Sequence, residues 1–126
     1  MTLFHAVIWM DHQEAHVVQF DAESIDAQRV KARSHHPRKH DNDTRAQHAY
    51  FEQIADAATG VTEVLLVGPG LAHGEFLGWC EKHRAAIAKA VVGSEKADHP
   101  TDAQLVAMAR RKFVQIDRMT GTPTPM

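Results

Sequence analysis

The chemistry-bearing residues of this sequence gather in a few places, and the densest is a basic, histidine-rich window. Between Arg29 and Arg45 stand six lysines or arginines (Arg29, Lys31, Arg33, Arg38, Lys39, Arg45) against two acids (Asp41, Asp43). The window therefore carries +4 in a chain whose formal charge is −2. Such a cluster can neutralise phosphates, and its histidines add donors and stacking surfaces, so Arg33, His35, His36, Arg38, Lys39, His40 and Arg45 are the expected RNA-binding residues. The competing reading is a solvated loop with no partner. The whole chain, being mildly acidic, is no general polyanion binder.

Other groups point less directly to chemistry. His35, His36, His40 and Asp41 match no standard zinc spacing, and Cys80 with His83 is an isolated pair on one helix face, so no specific metal site and no cofactor are expected. Gly68-Pro69-Gly70 ahead of a helix offers an anion a helix N-terminus, which makes Gly68 and Gly70 candidate anion-binding residues. Neither a dinucleotide fingerprint nor a P-loop lysine accompanies them, and a tight turn is the simpler reading. Asp11 ends the first strand, but two-metal nuclease chemistry needs several clustered carboxylates, and Gly68 at the matching strand end supplies none. Glu14 is read as capping a turn, Cys80 as core, and His99 as a structural hydrogen-bonder. No catalytic residue is assigned, and the chain is expected to be non-enzymatic.

These residues must be positioned by an α/β fold. Val64 to Val67 is a continuous apolar run closed by Gly68-Pro69-Gly70, the pattern of a strand buried on both faces. Leu3 to Met10 puts Phe4, Ala6, Ile8 and Met10 on one side and Val7 and Trp9 on the other. A polar turn at Asp11-His12-Gln13 then leads to a second strand, Ala15 to Phe20, so the pair forms an antiparallel hairpin. Ala27 to Arg33 alternates weakly and suits a solvent-facing edge strand. Ser34 to Asp43 lacks periodicity and is expected to be a loop.

Thr44, with Gln47 as capping-box partner, is expected to open a helix ending at Gly60. Ala72 to Arg84 forms the next helix, with Phe76, Leu77 and Cys80 inward. A short strand, Ala90 to Gly93, completes a right-handed βαβ unit. Thr101 and Gln104 form a capping box for the last helix, whose buried face is Leu105, Ala109, Phe113 and Ile116. The order β-β-β-α-β-α-β-α is that of a ribonuclease-H-like mixed sheet with strand one central. Residues 1–119 are expected to form one domain, and 120–126 a frayed tail.

At this size and with 44% apolar residues, one well-cored domain is expected. One cysteine excludes an internal disulfide and fits a reducing cytoplasm. No signal-peptide pattern opens the chain, and no apolar run is long enough to span a membrane.

VIWMDHQEAHVVQF resembles the opening hairpin of the middle domain of the archaeo-eukaryotic peptide-chain release factor and Pelota. HAYFEQIADAA is similar to the long helix that follows there. VLLVGPGLAHGEF resembles their strand, Gly-Pro-Gly turn and helix, and AVVGSEKADHPTDAQLVAMAR their last strand and helix, as well as small bacterial stand-alone relatives. The likeness runs from about residue 4 to 116. It implies a ribonuclease-H-like fold and a cytoplasmic role at the translation machinery, with the basic loop lying where the release factor inserts into the ribosome. The Gly-Gly-Gln that triggers peptidyl-tRNA hydrolysis is absent, since the corresponding loop reads SHHPRKHDND, so hydrolysis is not implied. Nor are stop-codon reading or binding of a GTPase partner, whose domains are missing. The expected partner is thus the ribosome or a structured RNA. The alternative is a small anion- or metabolite-binding protein, or an enzyme, using the Gly68–Gly70 turn and Asp11.

Overall fold

A computed structural model describes residues 5–32 and 40–120, with the side chains of 40–44 and 116–120 outside the description. β1 (His5–Met10), β2 (Glu14–Phe20), β3 (Ile25–Lys31), β4 (Glu63–Gly68) and β5 (Val91–Lys96) form one sheet in the order β3-β2-β1-β4-β5. β1 is central, antiparallel to β2 and parallel to β4, and β4 is parallel to β5. This is the mixed ribonuclease-H-like arrangement that the meander and the helical crossovers lead one to expect.

The two hairpin turns use one device. Asp11 accepts through Oδ1 from the backbone N–H groups of Gln13 (2.7 Å) and Glu14 (2.8 Å). Asp21 accepts likewise from Glu23 (2.8 Å) and Ser24 (2.7 Å). An aspartate side chain that satisfies two turn donors locks the reversal of the chain. These two bonds hold the Asp21 carboxyl below its ordinary pKa. Asp11, not Glu14, is therefore the residue that caps the first turn.

The sheet buries both faces. On one, Ile8, Val17 and Leu66 pack against α1 (His40–Ala57), α2 (Ala72–His83) and α3 (Ala85–Ala90). On the other, Val7, Val18, Phe20 and Leu65 meet α4 (Asp102–Thr120) through Leu105, Ala109 and Phe113. Phe51, Ile54, Leu66, Phe76, Leu105 and Phe113 are all buried, as their spacing predicts. Ile116 lies among the residues whose side chains are not described. β3 is the exposed edge, with only Val30 facing the core.

Three boundaries differ from the sequence reading. α1 begins at His40, so the 34–43 segment is not all loop and Thr44–Gln47 is not its cap. Gln47 instead donates to Glu75 (3.3 Å). α2 stops at His83 because Arg84 leaves the helical region (φ −139°, ψ 68°), and α3 follows as a separate short helix that the spacing did not suggest. The Arg84 guanidinium donates to Asp56 (2.9 Å) and Thr59 (3.3 Å). β5 is longer than expected, reaching Lys96. By contrast, Gly60 takes positive φ (94°) after α1, and the Thr101–Gln104 box closes reciprocally at 2.8 and 3.1 Å.

Candidate functional site

The carboxyl ends of β1, β4 and β5 lie along one edge, together with the Asp11–Gln13 turn and the end of β3. Both described flanks of the basic window reach this edge. Ala32 donates its N–H to the Gln13 carbonyl (2.8 Å), and Gln47 on α1 meets Glu75 on α2, which also binds His12 Nε2 (2.7 Å). Of the expected RNA-contacting residues, Arg45 is exposed on α1 and His40 opens that helix. Arg33, His35, His36, Arg38 and Lys39 lie outside the described residues. Arg29 and Lys31 are exposed on β3.

On the α1/α2 side, a side chain at Gly68 would collide with the Met10 carbonyl and come within 2.9 Å of His73 Nδ1, so only glycine allows β4 to end this close to β1. Gly70 has open space around it. The first turn of α2 already carries Glu75, which supplies negative charge to that helix end. His73, 8% exposed, has an unpartnered Nδ1. Burial, with Lys96 nearby, pushes its pKa down, so it stays neutral. Asp11 spends Oδ1 on the turn, and Tyr50 donates its hydroxyl to the Asp11 carbonyl (3.0 Å). Because Asp21 makes the same turn at the far hairpin, the turn itself accounts for Asp11.

The α4 side of this edge holds a group that sequence reasoning did not assemble. Glu14 and His16, two apart on β2, point to the same face. His16 lies 3.3 Å from Asp102 Oδ1 through Nδ1 and 3.6 Å from Glu14 Oε1 through Nε2. His99, exposed on the β5–α4 connection, brings its ring to 5.4 Å from that of His16 and 4.3 Å from Trp9. Trp9 pins the connection by donating its indole N–H to the carbonyls of Ala97 (3.3 Å) and Asp98 (3.0 Å). One donor atom from each of Glu14, His16 and His99 fits within 4.8 Å of the others. His99, read from sequence as a structural hydrogen-bonder, sits in this cluster. The signal available beforehand was the Glu-x-His spacing on a strand, which says nothing of the two residues that complete the group.

The remaining candidates separate. Cys80 is fully buried and its thiol is pushed up to about 12 by burial, the chemistry of a core residue. The His83 ring lies tilted against that of Trp79, 5.2 Å between centroids.

Five strands in this order, with helices on both faces, are consistent with the domain fold of Pelota and the archaeal release factor. Among solved structures, Pelota from Archaeoglobus fulgidus is similar at 12% identity and TM-score 0.65, over 93% of this chain and 33% of that one. Pelota from Thermoplasma acidophilum is similar at 20% identity and TM-score 0.58, over 90% of this chain and 32% of that one. The archaeal translation termination factor aRF1 is similar at 12% identity and TM-score 0.56, over 93% and 41%. At these identities the likeness is one of fold, and this chain spans about a third of the length of the Pelota chains. No protein-family model and no curated protein matches the sequence. No helix among the described residues is long and apolar enough to cross a membrane.

Proposed function

We propose that this domain is a non-enzymatic component of the translation machinery, the counterpart of the middle domain of the release-factor and Pelota proteins and akin to their small bacterial stand-alone relatives. It acts in the cytoplasm and contacts the ribosome or a structured RNA through residues 29–45. The observation that carries this reading is the fold shared with Pelota and aRF1 over 93% of the chain. Dom34 of S. cerevisiae, a translation termination-like factor, is similar at 13% identity and TM-score 0.51. A local physical feature supports it: the +4 window joins β3 to α1, and its described members Arg29, Lys31 and Arg45 are all exposed. Hydrolysis is left out because Gly-Gly-Gln does not occur.

Co-sedimentation with ribosomes across a salt series tests the proposal. Each phosphate that a lysine or arginine neutralises releases counterions, so affinity should fall steeply with salt. Replacing Arg38, Lys39 and Arg45 by alanine should weaken binding and flatten the log–log slope by about 0.7–0.9 for each phosphate no longer neutralised. A variant that binds as well as the parent at every salt concentration would sink the assignment of this window.

A further inference from the structure

We propose that Glu14, His16 and His99 bind a divalent transition-metal ion of the zinc class, with Asp102 as the outer carboxylate that orients His16. This site does not rest on the translation reading.

The argument starts from His16, which is 6% exposed. Its Nδ1 faces a carboxylate oxygen of Asp102 at 3.3 Å, and an ionised carboxylate only accepts. Nδ1 must therefore carry the proton. In the neutral ring Nε2 is then left with a bare lone pair, and this buried atom has no hydrogen-bond partner among the described residues. It is not directed at a donor. It faces Glu14 Oε1 at 3.6 Å. A lone pair held against a carboxylate oxygen in a buried position is repulsive unless a proton or a metal ion lies between them. A proton would serve His16 and Glu14 alone, whereas a metal ion also uses the His99 donor that the fold brings to the same point.

The surroundings fit that ion. A carboxylate bonded to the far nitrogen of a ligating histidine sets its tautomer and raises its basicity, the role Asp102 is placed to fill. Glu14 is free to ligate, since His16 is its only ion-pair partner among the described residues. Arg29 and Lys31 stand opposite His16 and Glu14 in the β3 register, yet neither forms an ion pair with Glu14. His99 supplies the third donor from the exposed side. The donor atoms lie within 4.8 Å of one another, whereas two ligands of a tetrahedral zinc ion, each about 2.0–2.2 Å from it, stand about 3.3–3.6 Å apart. His99 is exposed, so a small rotation of its side chain can close the gap. Two neutral imidazoles and two carboxylates balance a 2+ charge. Three protein ligands with one position open to solvent is a familiar zinc arrangement, and the histidine–carboxylate mixture suits zinc or cobalt better than calcium or magnesium. The ion would tie β2 to the β5–α4 connection, far apart in sequence.

Titration of metal-free full-length protein with Co(II) near neutral pH tests the site, read by visible ligand-field absorption and by displacement with Zn(II). One equivalent should bind with a low-coordinate spectrum, raise the melting temperature, and quench the Trp9 fluorescence that a Trp9→Phe variant removes. Glu14→Gln and His99→Ala, both outside the core and with folding checked by circular dichroism, should each abolish that spectrum. Asp102→Asn should weaken binding about 10- to 100-fold. Replacing His35, His36 and His40 together by alanine should leave it intact. Absence of stoichiometric binding overturns the proposal. So does a spectrum that survives in Glu14→Gln and His99→Ala, or one that disappears with the three loop histidines.

Discussion

His5 and His16 invite comparison because they share a residue type, a sheet face and near-complete burial, yet sit in opposite surroundings. His5 lies at the amino end of β1, its ring 5.6 Å from Phe20 and 4.9 Å from Phe113. Among the described residues its hydrogen-bond partner is Glu63, at 2.8 Å through Nε2, and its Nδ1 has none. His16 lies where β1 ends, across the hairpin from Trp9, with a carboxylate near each ring nitrogen and a second imidazole edge-on. The same helix makes the difference. α4 runs antiparallel to the parallel strands, so its body lays Phe113 over His5 while its first turn lays Asp102 beside His16. Burial alone does not mark a site; the atoms that face the unpartnered nitrogen do.

The largest break in this comparison should come from Phe113→Ala, which strips one wall from His5. Phenylalanine truncations in cores cost about 3–5 kcal/mol, so a denaturant melt showing a loss under about 1 kcal/mol would mean α4 does not close this face. Glu63→Ala comes next. It leaves a buried ring nitrogen without its partner, at about 1–3 kcal/mol. Asp102→Ala should cost less than Glu63→Ala, because the Asp102 side chain is 43% exposed and water can replace it. An equal or larger cost at Asp102 would place the two histidines in the same category. Thr101→Ala, which opens the capping box beside the His16 cluster, should cost about 1 kcal/mol.

A third buried histidine sharpens the contrast through pH. His73 has a folded pKa below its ordinary 6.5 because burial disfavours its charge. The unfolded chain therefore takes up the proton first. Stability from this group is fully present above the unfolded value and is lost as pH falls through the folded pKa. Parent and His73→Gln melts, compared from neutral to mildly acidic pH, should show a shallower decline in the variant. Parallel curves would mean that His73 titrates as it does when unfolded. The smallest effect belongs to Arg45→Ala, an exposed change expected to stay within about 0.5 kcal/mol, so that any loss of ribosome binding in the window variant is not a folding defect.

Much of this arrangement was legible in residue order because it rests on short-range chemistry. Apolar alternation with polar turns marks the hairpins, reciprocal side-chain bonds mark the start of α4, and a glycine free to take positive φ marks the end of α1. A short turn and a helical crossover then leave few choices for strand order, which is why β1 is central and β4 parallel to it. Where several local rules compete, sequence alone misplaces the boundary. Thr44–Gln47 has the form of a capping box, but α1 starts a turn earlier, at His40. The break at Arg84 has no marker in local spacing, and the partners its guanidinium meets there, Asp56 and Thr59, are at least 25 residues away in the chain. The Glu14, His16 and His99 cluster lies beyond local reading altogether. Residue spacing puts Glu14 and His16 on one face of a strand, but His99 and Asp102 come from the other end of the chain, Asp102 standing 86 positions after His16. They are brought there by the register of β5 on β4 and by the end at which α4 begins, and that proximity is a property of the packed sheet alone.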